Sequence, residues 1–265
     1  MSRILLFAFL LIVSQSEHSL AGPFSCGGEL LWSAPASNGS VASGWPLTPD
    51  DELLWGDENT QIVAAATPVL VTSFPAGSIN PRNRVAPKGG VGFHARFAPA
   101  QEGCLSYDIR FEPGFEFNKG GKLPGLFGGK NFTGCTRDTG SGFSTRLMWG
   151  NNGTAFLYAY FADRTTKCGE VIGSGIVYFE PGRWHRVQQW VRLNDPGVAN
   201  GSVSLKIDDT ILLEASGRRL TSGASIEGVA FETFFGGSTA EWASPSKQVL
   251  EFRNFRFFSQ IDRKK

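Results

Sequence analysis

Residues 143–161 read FSTRLMWGNNGTAFLYAYF. The GNNG segment at 150–153 is a strong turn signal. Aromatic and β-branched residues, which favour strands, lie on both sides of it. The stretch therefore predicts two antiparallel strands joined by a tight turn.

Side-chain alternation divides this hairpin into two faces. With the turn centred near Asn152, Arg146 lies opposite Tyr158, and Ser144 lies opposite Tyr160. The core-like face carries Phe143, Thr145, Leu147, Trp149, Ala155, Leu157, Ala159 and Phe161. The other face carries Ser144, Arg146, Met148, Phe156, Tyr158 and Tyr160. The second set is either a functional patch or a solvated face, since Arg and Tyr are common cross-strand neighbours.

The rest of the chain continues this all-β pattern. Its 265 residues include 33 Gly and 14 Pro, which separate short strand-like runs, and long helical periodicity is absent. Strands are predicted at 104–111, 143–149, 155–161, 184–193, 202–207, 211–214, 228–235 and 249–258, with a tight turn at 208–210. This spacing is typical of a two-sheet β-sandwich or jelly roll. Residues 22–65 look irregular, and we expect them to wrap the sandwich edge.

The amino terminus has the features of a secretion signal. Arg3 precedes an apolar run at 4–13, and Ser19-Leu20-Ala21 is a small-x-small cleavage site. We predict a signal peptide at 1–21 and a single domain at 22–265. No later stretch approaches the ~20 apolar residues of a membrane span. We therefore expect a secreted, soluble monomer.

Cysteines and sequons fit an exported chain. An even number of cysteines predicts two disulfides in one of three pairings. The cysteines are Cys26, Cys104, Cys135 and Cys168. Candidate glycosylation sequons begin at Asn38, Asn131, Asn152 and Asn200. No zinc-type spacing is present, so we expect no metal and no other cofactor.

The formal net charge of +1 is low for a protein that binds polyanions through a general field. An acidic ligand must then be recognised by a few placed cations. No nucleic-acid motif occurs, and we expect no such partner.

Residues 118–129 read NKGGKLPGLFGG. Glycines allow the backbone to approach a ligand closely. The phosphate-loop pattern GxxxxGK[ST] is absent from the chain. By itself the segment predicts a flexible loop that follows a strand and carries two solvated lysines, Lys119 and Lys122.

Taken together, KGGKLPGLFGG, FSTRLMW and LYAYF, in this order and spacing, resemble polysaccharide lyase family fourteen. Residues 181–209 are also similar to the family's second half, and the resemblance covers roughly 85–258. The family contains alginate lyases and related uronan-cleaving enzymes. The resemblance implies a concanavalin-like β-jelly roll with a substrate groove on its concave sheet. It also implies β-elimination on a 1,4-linked uronate polymer, either alginate (polymannuronate) or β-1,4-glucuronan, leaving 4,5-unsaturated uronate ends.

The resemblance assigns site residues one by one. The family's catalytic lysine matches Lys122, its Ser-x-Arg matches Ser144 and Arg146, and its Tyr-x-Tyr matches Tyr158 and Tyr160. Alternation had already grouped the last four on one face.

Other positions refine this expectation. Lys119 competes for the lysine role and is a candidate substrate contact. Phe127 occupies a position where many relatives have a tyrosine, so a hydroxyl contact is lost there. Gln188, Trp190 and Arg192 share one strand face and are candidate groove residues, with Trp190 either stacking on a sugar or packing in the core.

These residue types suit elimination at a uronate. Arg146 can bind a carboxylate in a bidentate fork, and Lys122 can stabilise the developing negative charge. A phenol near two cations is expected to have a lowered pKa and to act as a base, an acid or both. Lys122 is the rival base. Ser144 is expected to hydrogen-bond the substrate or to orient a neighbour.

Two other classes of protein remain open. A non-catalytic, lectin-like protein that binds acidic carbohydrate uses the same cations and phenols without a poised base. A glycoside hydrolase needs two facing carboxylates, and Glu112 and Glu116 only bracket a Pro-Gly break. His94 and His185 lie on predicted strands and are expected to be structural or surface residues.

Overall fold

The computed structural model describes residues 24–34, 37–45, 52–130, 133–135 and 140–263. The predicted signal peptide and the sequon at Asn131 lie outside these residues. The strands are β1 (Phe24–Ser33), β2 (Glu52–Trp55), β3 (Thr60–Val63), β4 (Val69–Phe74), β5 (Val91–Ala100), β6 (Glu102–Phe111), β7 (Gly120–Lys122), β8 (Gly125–Gly129), β9 (Gly142–Gly150), β10 (Thr154–Tyr160), β11 (Glu170–Tyr178), β12 (Trp184–Arg192), β13 (Gly201–Ile207), β14 (Thr210–Arg218), β15 (Ile226–Phe235) and β16 (Gln248–Arg263). The helical elements are α1 (Val41–Gly44) and the 3-10 turns Asp57–Asn59, Asn151–Gly153 and Ala240–Trp242.

The strands form two antiparallel sheets that face each other across an apolar core. The first sheet has the order β14-β13-β12-β6-β16-β4-β3, with β1 paired to β16. The second has the order β11-β10-β9-β7-β15-β5-β2, with β8 between β9 and β15. Large aromatic side chains from both sheets fill the space between them, among them Phe111, Trp149, Phe231, Phe235 and Phe252. The predicted all-β sandwich is confirmed.

The predicted hairpin is also confirmed. Arg146 on β9 pairs with Tyr158 on β10, and Ser144 pairs with Tyr160. The turn contains Asn152 in the left-handed region, with φ of 56°, a conformation that Asn tolerates better than most residues. The core-like face points into the sandwich, so the second face is the outer face of the second sheet. The tight turn expected at 208–210 likewise joins β13 to β14.

Two predictions were wrong. Residues 22–65 are not irregular, because they contain β1, β2 and β3. Pairing with distant strands forms these short elements, and local propensity does not reveal it. The expected position holds in part, since β2 and β3 are edge strands.

The segment at 118–129 is not a loop, because it forms β7 and β8. Its glycines are required by close packing. A Cβ on Gly121 would lie 2.1 Å from the ring of Trp149, and one on Gly128 would lie 1.7 Å from the carbonyl oxygen of Ser225. Glycine-rich strands lack the side-chain signal that identifies strands in a sequence.

Both expected disulfides form, as Cys26–Cys104 and Cys135–Cys168. The first joins β1 to β6. The second joins the segment before β9 to the segment before β11. Within the described ranges, no helix is long and apolar enough to cross a membrane.

Candidate active site

The outer face of the second sheet carries the predicted residues in rows that run across the strands. In the first row, Lys122 on β7 lies between Met148 on β9 and Phe234 on β15. In the second row, Arg146 lies beside Tyr158. In the third, Ser144 has Tyr160 on one side and Phe127 on the other. Successive rows are about 7 Å apart, because they are separated by two residues along each strand.

Lys122 is partly buried at the centre of the cluster. Its Nζ donates to Sδ of Met148 at 2.9 Å and lies 4.1 Å from the centre of the Tyr158 ring. Burial and, to a smaller extent, the positive charge of Arg146 lower the pKa of this amine to about 7, against the opposing effect of Glu232. An amine with this pKa is available as a proton acceptor at neutral pH.

Arg146 forms a buried ion pair with Glu232 on β15. The break between β7 and β8 at residues 123–124 opens the sheet between β9 and β15, and the two side chains meet across this opening. Burial opposes ionisation of Glu232, but Arg146 and His94 outweigh it and hold the pKa of the carboxyl at about 2. Nε2 of His94 lies 3.9 Å from Oε1 of Glu232.

The pair with Glu232 changes what Arg146 can offer a ligand. The expected bidentate fork is not fully free, because Nη1 is committed to Glu232 and the residue is only 3% exposed. Nε has no hydrogen-bond partner among the described residues. The guanidinium therefore retains part of its donor capacity for a carboxylate.

The two phenols are in edge-to-face contact, with ring centres 5.5 Å apart. Two guanidinium groups lie near the Tyr160 ring, that of Arg146 at 5.7 Å from its centre and that of Arg164 at 5.2 Å. The expectation of a lowered phenol pKa is wrong for Tyr160. Burial and the neighbouring Tyr158 raise the pKa of Tyr160 to about 12 and outweigh the opposing effect of Arg146. Tyr160 is therefore a neutral proton donor at physiological pH.

Ser144 is completely buried beneath these groups. It has no surface to offer a substrate, so the second expected role, orientation of a neighbour, fits its position opposite Tyr160. Phe127 is also buried, with its ring centre 5.0 Å from that of His94 and 5.1 Å from the guanidinium of Arg96.

Some residues of the cluster were not predicted as site residues. Glu232, Arg164 and Met148 contact the predicted ones, and His94 lies beside Glu232. Alternation along the predicted strand 228–235 puts Glu232 on the face opposite Val229, Phe231 and Phe235, so the sequence indicated that it points away from the core. Arg164 follows β10 in an irregular segment and has no sequence signal. His185, by contrast, is structural, because it bonds Asp208 far from the cluster.

Three candidate groove residues are not brought to this face. Gln188, Trp190 and Arg192 lie on β12 of the first sheet. Their neighbours Val187 and Val191 point into the core, so the three point out of the opposite side of the sandwich. Trp190 packs with Phe24 and Cys104 and is 9% exposed. Trp190 is therefore a packing residue and not a sugar contact. Gln188 and Arg192 are also not groove residues, because they lie on the opposite side of the sandwich.

Lys119 lies at one margin of the second sheet. Its Nζ pairs with Glu241 at 2.8 Å and lies 5.9 Å from the Trp242 ring. The pair is well exposed, and exposed pairs contribute little, so a substrate carboxylate can replace Glu241. In the parts of the chain that the structure describes, no group of three His, Cys, Asp or Glu side chains is arranged to hold a metal ion.

Comparison with known proteins identifies the family. The family model for polysaccharide lyase 14 matches residues 63–255. The crystal structure of the marine PL-14 alginate lyase from Aplysia kurodai is 28% identical, with a TM-score of 0.76, covering 88% of this chain and 100% of that one. Curated protein sequences give no match.

Two further solved structures share the fold. An alginate lyase, Aly36B, solved in complex with an alginate trisaccharide, is 20% identical with a TM-score of 0.71, covering 91% of this chain and 99% of that one. The alginate lyase vAL-1 from Chlorella virus is 20% identical with a TM-score of 0.65, covering 76% and 89%. The family match spans most of the chain, and the chain therefore belongs to the polysaccharide lyase 14 family and is a polysaccharide lyase.

Proposed function

We propose that this lyase cleaves alginate, a 1,4-linked uronate polymer, by β-elimination. The observation that carries the proposal is the Lys122 amine, whose pKa is about 7 and which lies against Tyr158 beside the Arg146–Glu232 pair. Alginate is favoured over β-1,4-glucuronan because the Aplysia kurodai protein, an alginate lyase, is 28% identical.

Lys122 is the base. β-Elimination removes the C5 proton of a uronate, and the C5–H electron pair forms the C4–C5 double bond as the C4–O bond breaks. About half of an amine with a pKa near 7 is unprotonated at neutral pH, which suits this role. Loss of the proton from Lys122 to solvent restores the free amine.

Tyr160 is the acid. Burial raises its pKa to about 12, so the phenol retains its proton at neutral pH and can give it to the leaving oxygen. The tyrosinate that remains then takes a proton from solvent, which restores the phenol. The ring of Tyr158 packs against the amine of Lys122 and holds it in position. Ser144 orients Tyr160 from below.

Arg146 stabilises the substrate carboxylate as negative charge develops on it. Placed donors in a site that excludes water are worth ~3–4 kcal/mol each. Glu232 fixes the guanidinium by binding one of its nitrogens. The donors of Arg146 that Glu232 does not use are the ones we assign to the carboxylate.

The polymer binds across the strands on this outer face. Beyond Lys122, Phe234 and Trp55 form an aromatic pair with ring centres 5.8 Å apart. Trp55 lies over Gly92, whose missing side chain makes room for the indole. Lys119, with its exposed pair to Glu241, is a candidate contact for a further uronate.

We further propose that residues 22–265 form one catalytic domain, secreted after removal of 1–21, and that it acts as a monomer. Both disulfides fit an oxidising compartment. The sequons at Asn38 and Asn152 are exposed, as glycosylation requires.

The test is the ultraviolet absorbance of the unsaturated product, measured with purified protein on polymannuronate, polyguluronate and glucuronan. We expect absorbance to rise on an alginate polymer, with or without a chelator. A rise on glucuronan alone would correct the substrate. No rise on any polymer, with retention of protein on an alginate column, would favour the non-catalytic binding protein.

A further inference from the structure

The segment between β10 and β11 returns to the two phenols of the site. The backbone N–H of Gly169 donates to the hydroxyl of Tyr158 at 3.2 Å. The same backbone group interacts with Tyr160, where it favours the ionised phenol. The N–H of Gly169 therefore binds the hydroxyl of Tyr158 and acts to lower the pKa of Tyr160, and the residue lies against both rings.

Only glycine fits at this position. A Cβ on Gly169 would lie 2.8 Å from the ring of Tyr158 and 2.8 Å from the ring of Tyr160. Carbon contacts this short do not occur in folded proteins, so a methyl group must displace one of the rings or the segment itself.

Two anchors fix the segment that carries Gly169. Its neighbour Cys168 is joined by a disulfide to Cys135. At its two ends, Asp163 and Glu170 both bind the guanidinium of Arg218 on β14, with N–O distances of 2.8 to 3.0 Å. The side chains of Arg218, Asp163 and Glu170 are each less than a third exposed. The disulfide holds the segment directly beside Gly169, and Arg218 ties its two ends together.

We infer that Gly169 is a positioning residue for the phenol pair and that the Cys135–Cys168 disulfide keeps it in place. The inference rests on the proposed function, in which Tyr160 donates a proton. An acid must lie within hydrogen-bond reach of the leaving oxygen. A displacement of about 1 Å at a reacting group can cost roughly 100-fold in rate.

The experiment compares two double variants that each remove one disulfide. Cys135→Ser with Cys168→Ser removes the disulfide beside the phenols. Cys26→Ser with Cys104→Ser removes the disulfide between β1 and β6, on the other sheet. We expect the first variant to lower kcat on alginate at least tenfold with KM within about twofold. The control variant should lose thermal stability while kcat, measured well below its Tm, stays within about twofold.

Gly169→Ala gives a second measurement, and tyrosine absorbance titration gives a readout that a purely structural role would not move. Both Gly169→Ala and the Cys135/Cys168 variant should shift the alkaline titration of a buried phenol, and the Cys26/Cys104 variant should not. A Cys135/Cys168 variant with the kcat and titration curve of the wild type would overturn the inference. If the wild type produces no unsaturated ends, the proposed function fails, and the titration alone decides whether Gly169 positions the phenols.

Discussion

In the proposed mechanism Lys122 is the base, and its buried amine predicts a characteristic pH dependence of the rate. The base must be unprotonated, and its pKa is about 7. We expect kcat/KM on alginate to rise with pH through about 7 and to stay level until Tyr160 ionises near 12. Lys122→Arg, which stays charged at every accessible pH, should be inactive throughout. A wild-type rate that falls between pH 6 and pH 8 would contradict this assignment.

Tyr160 should show the behaviour of an acid. Tyr160→Phe keeps the ring beside the guanidiniums of Arg146 and Arg164 but removes the hydroxyl proton, so we expect kcat to fall by about 10²–10⁴ with little change in KM. Tyr178, which is 54% exposed, provides the control. Tyr178→Phe should retain full activity, and comparable activity in the two variants would remove Tyr160 from the mechanism.

The lowered pKa of Lys122 also predicts that burying this amine reduces the free energy of unfolding at neutral pH. In the unfolded chain this amine has a pKa of about 10.4, so between pH 7 and pH 10 the unfolded state binds more protons and stability rises with pH. Lys122→Met lacks this titration. Its stability advantage over the wild type should be largest below pH 7 and shrink towards pH 10, as measured by urea unfolding. A pH-independent difference would argue against a buried, neutralised amine.

At the scale of elements, the hairpin of β9 and β10 could be predicted in full. A glycine-rich turn fixed its register, and alternation then assigned each side chain to a face. The strands β7 and β8 could not be predicted, because their glycines are explained only by partners that lie far away in the sequence. The position of Lys122 came from the family resemblance and not from any strand pattern.

The glycines of β8 make a further prediction. A Cβ on Gly125 would lie 2.2 Å from the carbonyl oxygen of Thr145 and 2.6 Å from Cα of Arg146. Gly125→Ala should therefore push β8 away from β9, cost about 1–3 kcal/mol of stability and lower kcat at least tenfold by moving Arg146. In Gly236→Ala the nearest atom is 3.3 Å away. This control should lose much less stability and much less kcat. Equal losses in the two variants would show that Gly125 has no special role.

At the scale of the whole molecule, sequence alternation indicates which residues share a face but not which sheet carries that face. Gln188, Trp190 and Arg192 share a face as expected, yet that face belongs to the first sheet. Glu232 and Arg146 meet because β15 and β9 are neighbours around a broken strand. Such long-range neighbours follow from strand order, which a single sequence does not specify.

Strand order also gives the width of the outer face that a bound polymer can cross. From Tyr158 on β10 to Trp55 on β2 the outer face crosses five strand spacings, about 24 Å. If the indole covers about 60 Å² of apolar sugar surface, Trp55→Ala should lose about 1.5 kcal/mol of binding at ~25 cal/mol per Å². That is a roughly tenfold rise in KM on polymer.

The effect of Trp55→Ala should depend on the length of the substrate. kcat should stay within about twofold, because Trp55 on β2 lies three strand spacings from Lys122 on β7. Short oligosaccharides that do not reach the indole should bind as they do to the wild type, and Trp55→Phe should recover much of the loss on polymer. Trp184, which lies beneath Arg110 and Arg253 on the first sheet, is the control. An unchanged polymer KM in Trp55→Ala, or the same rise in Trp184→Ala, would show that the chain does not extend across β5 and β2.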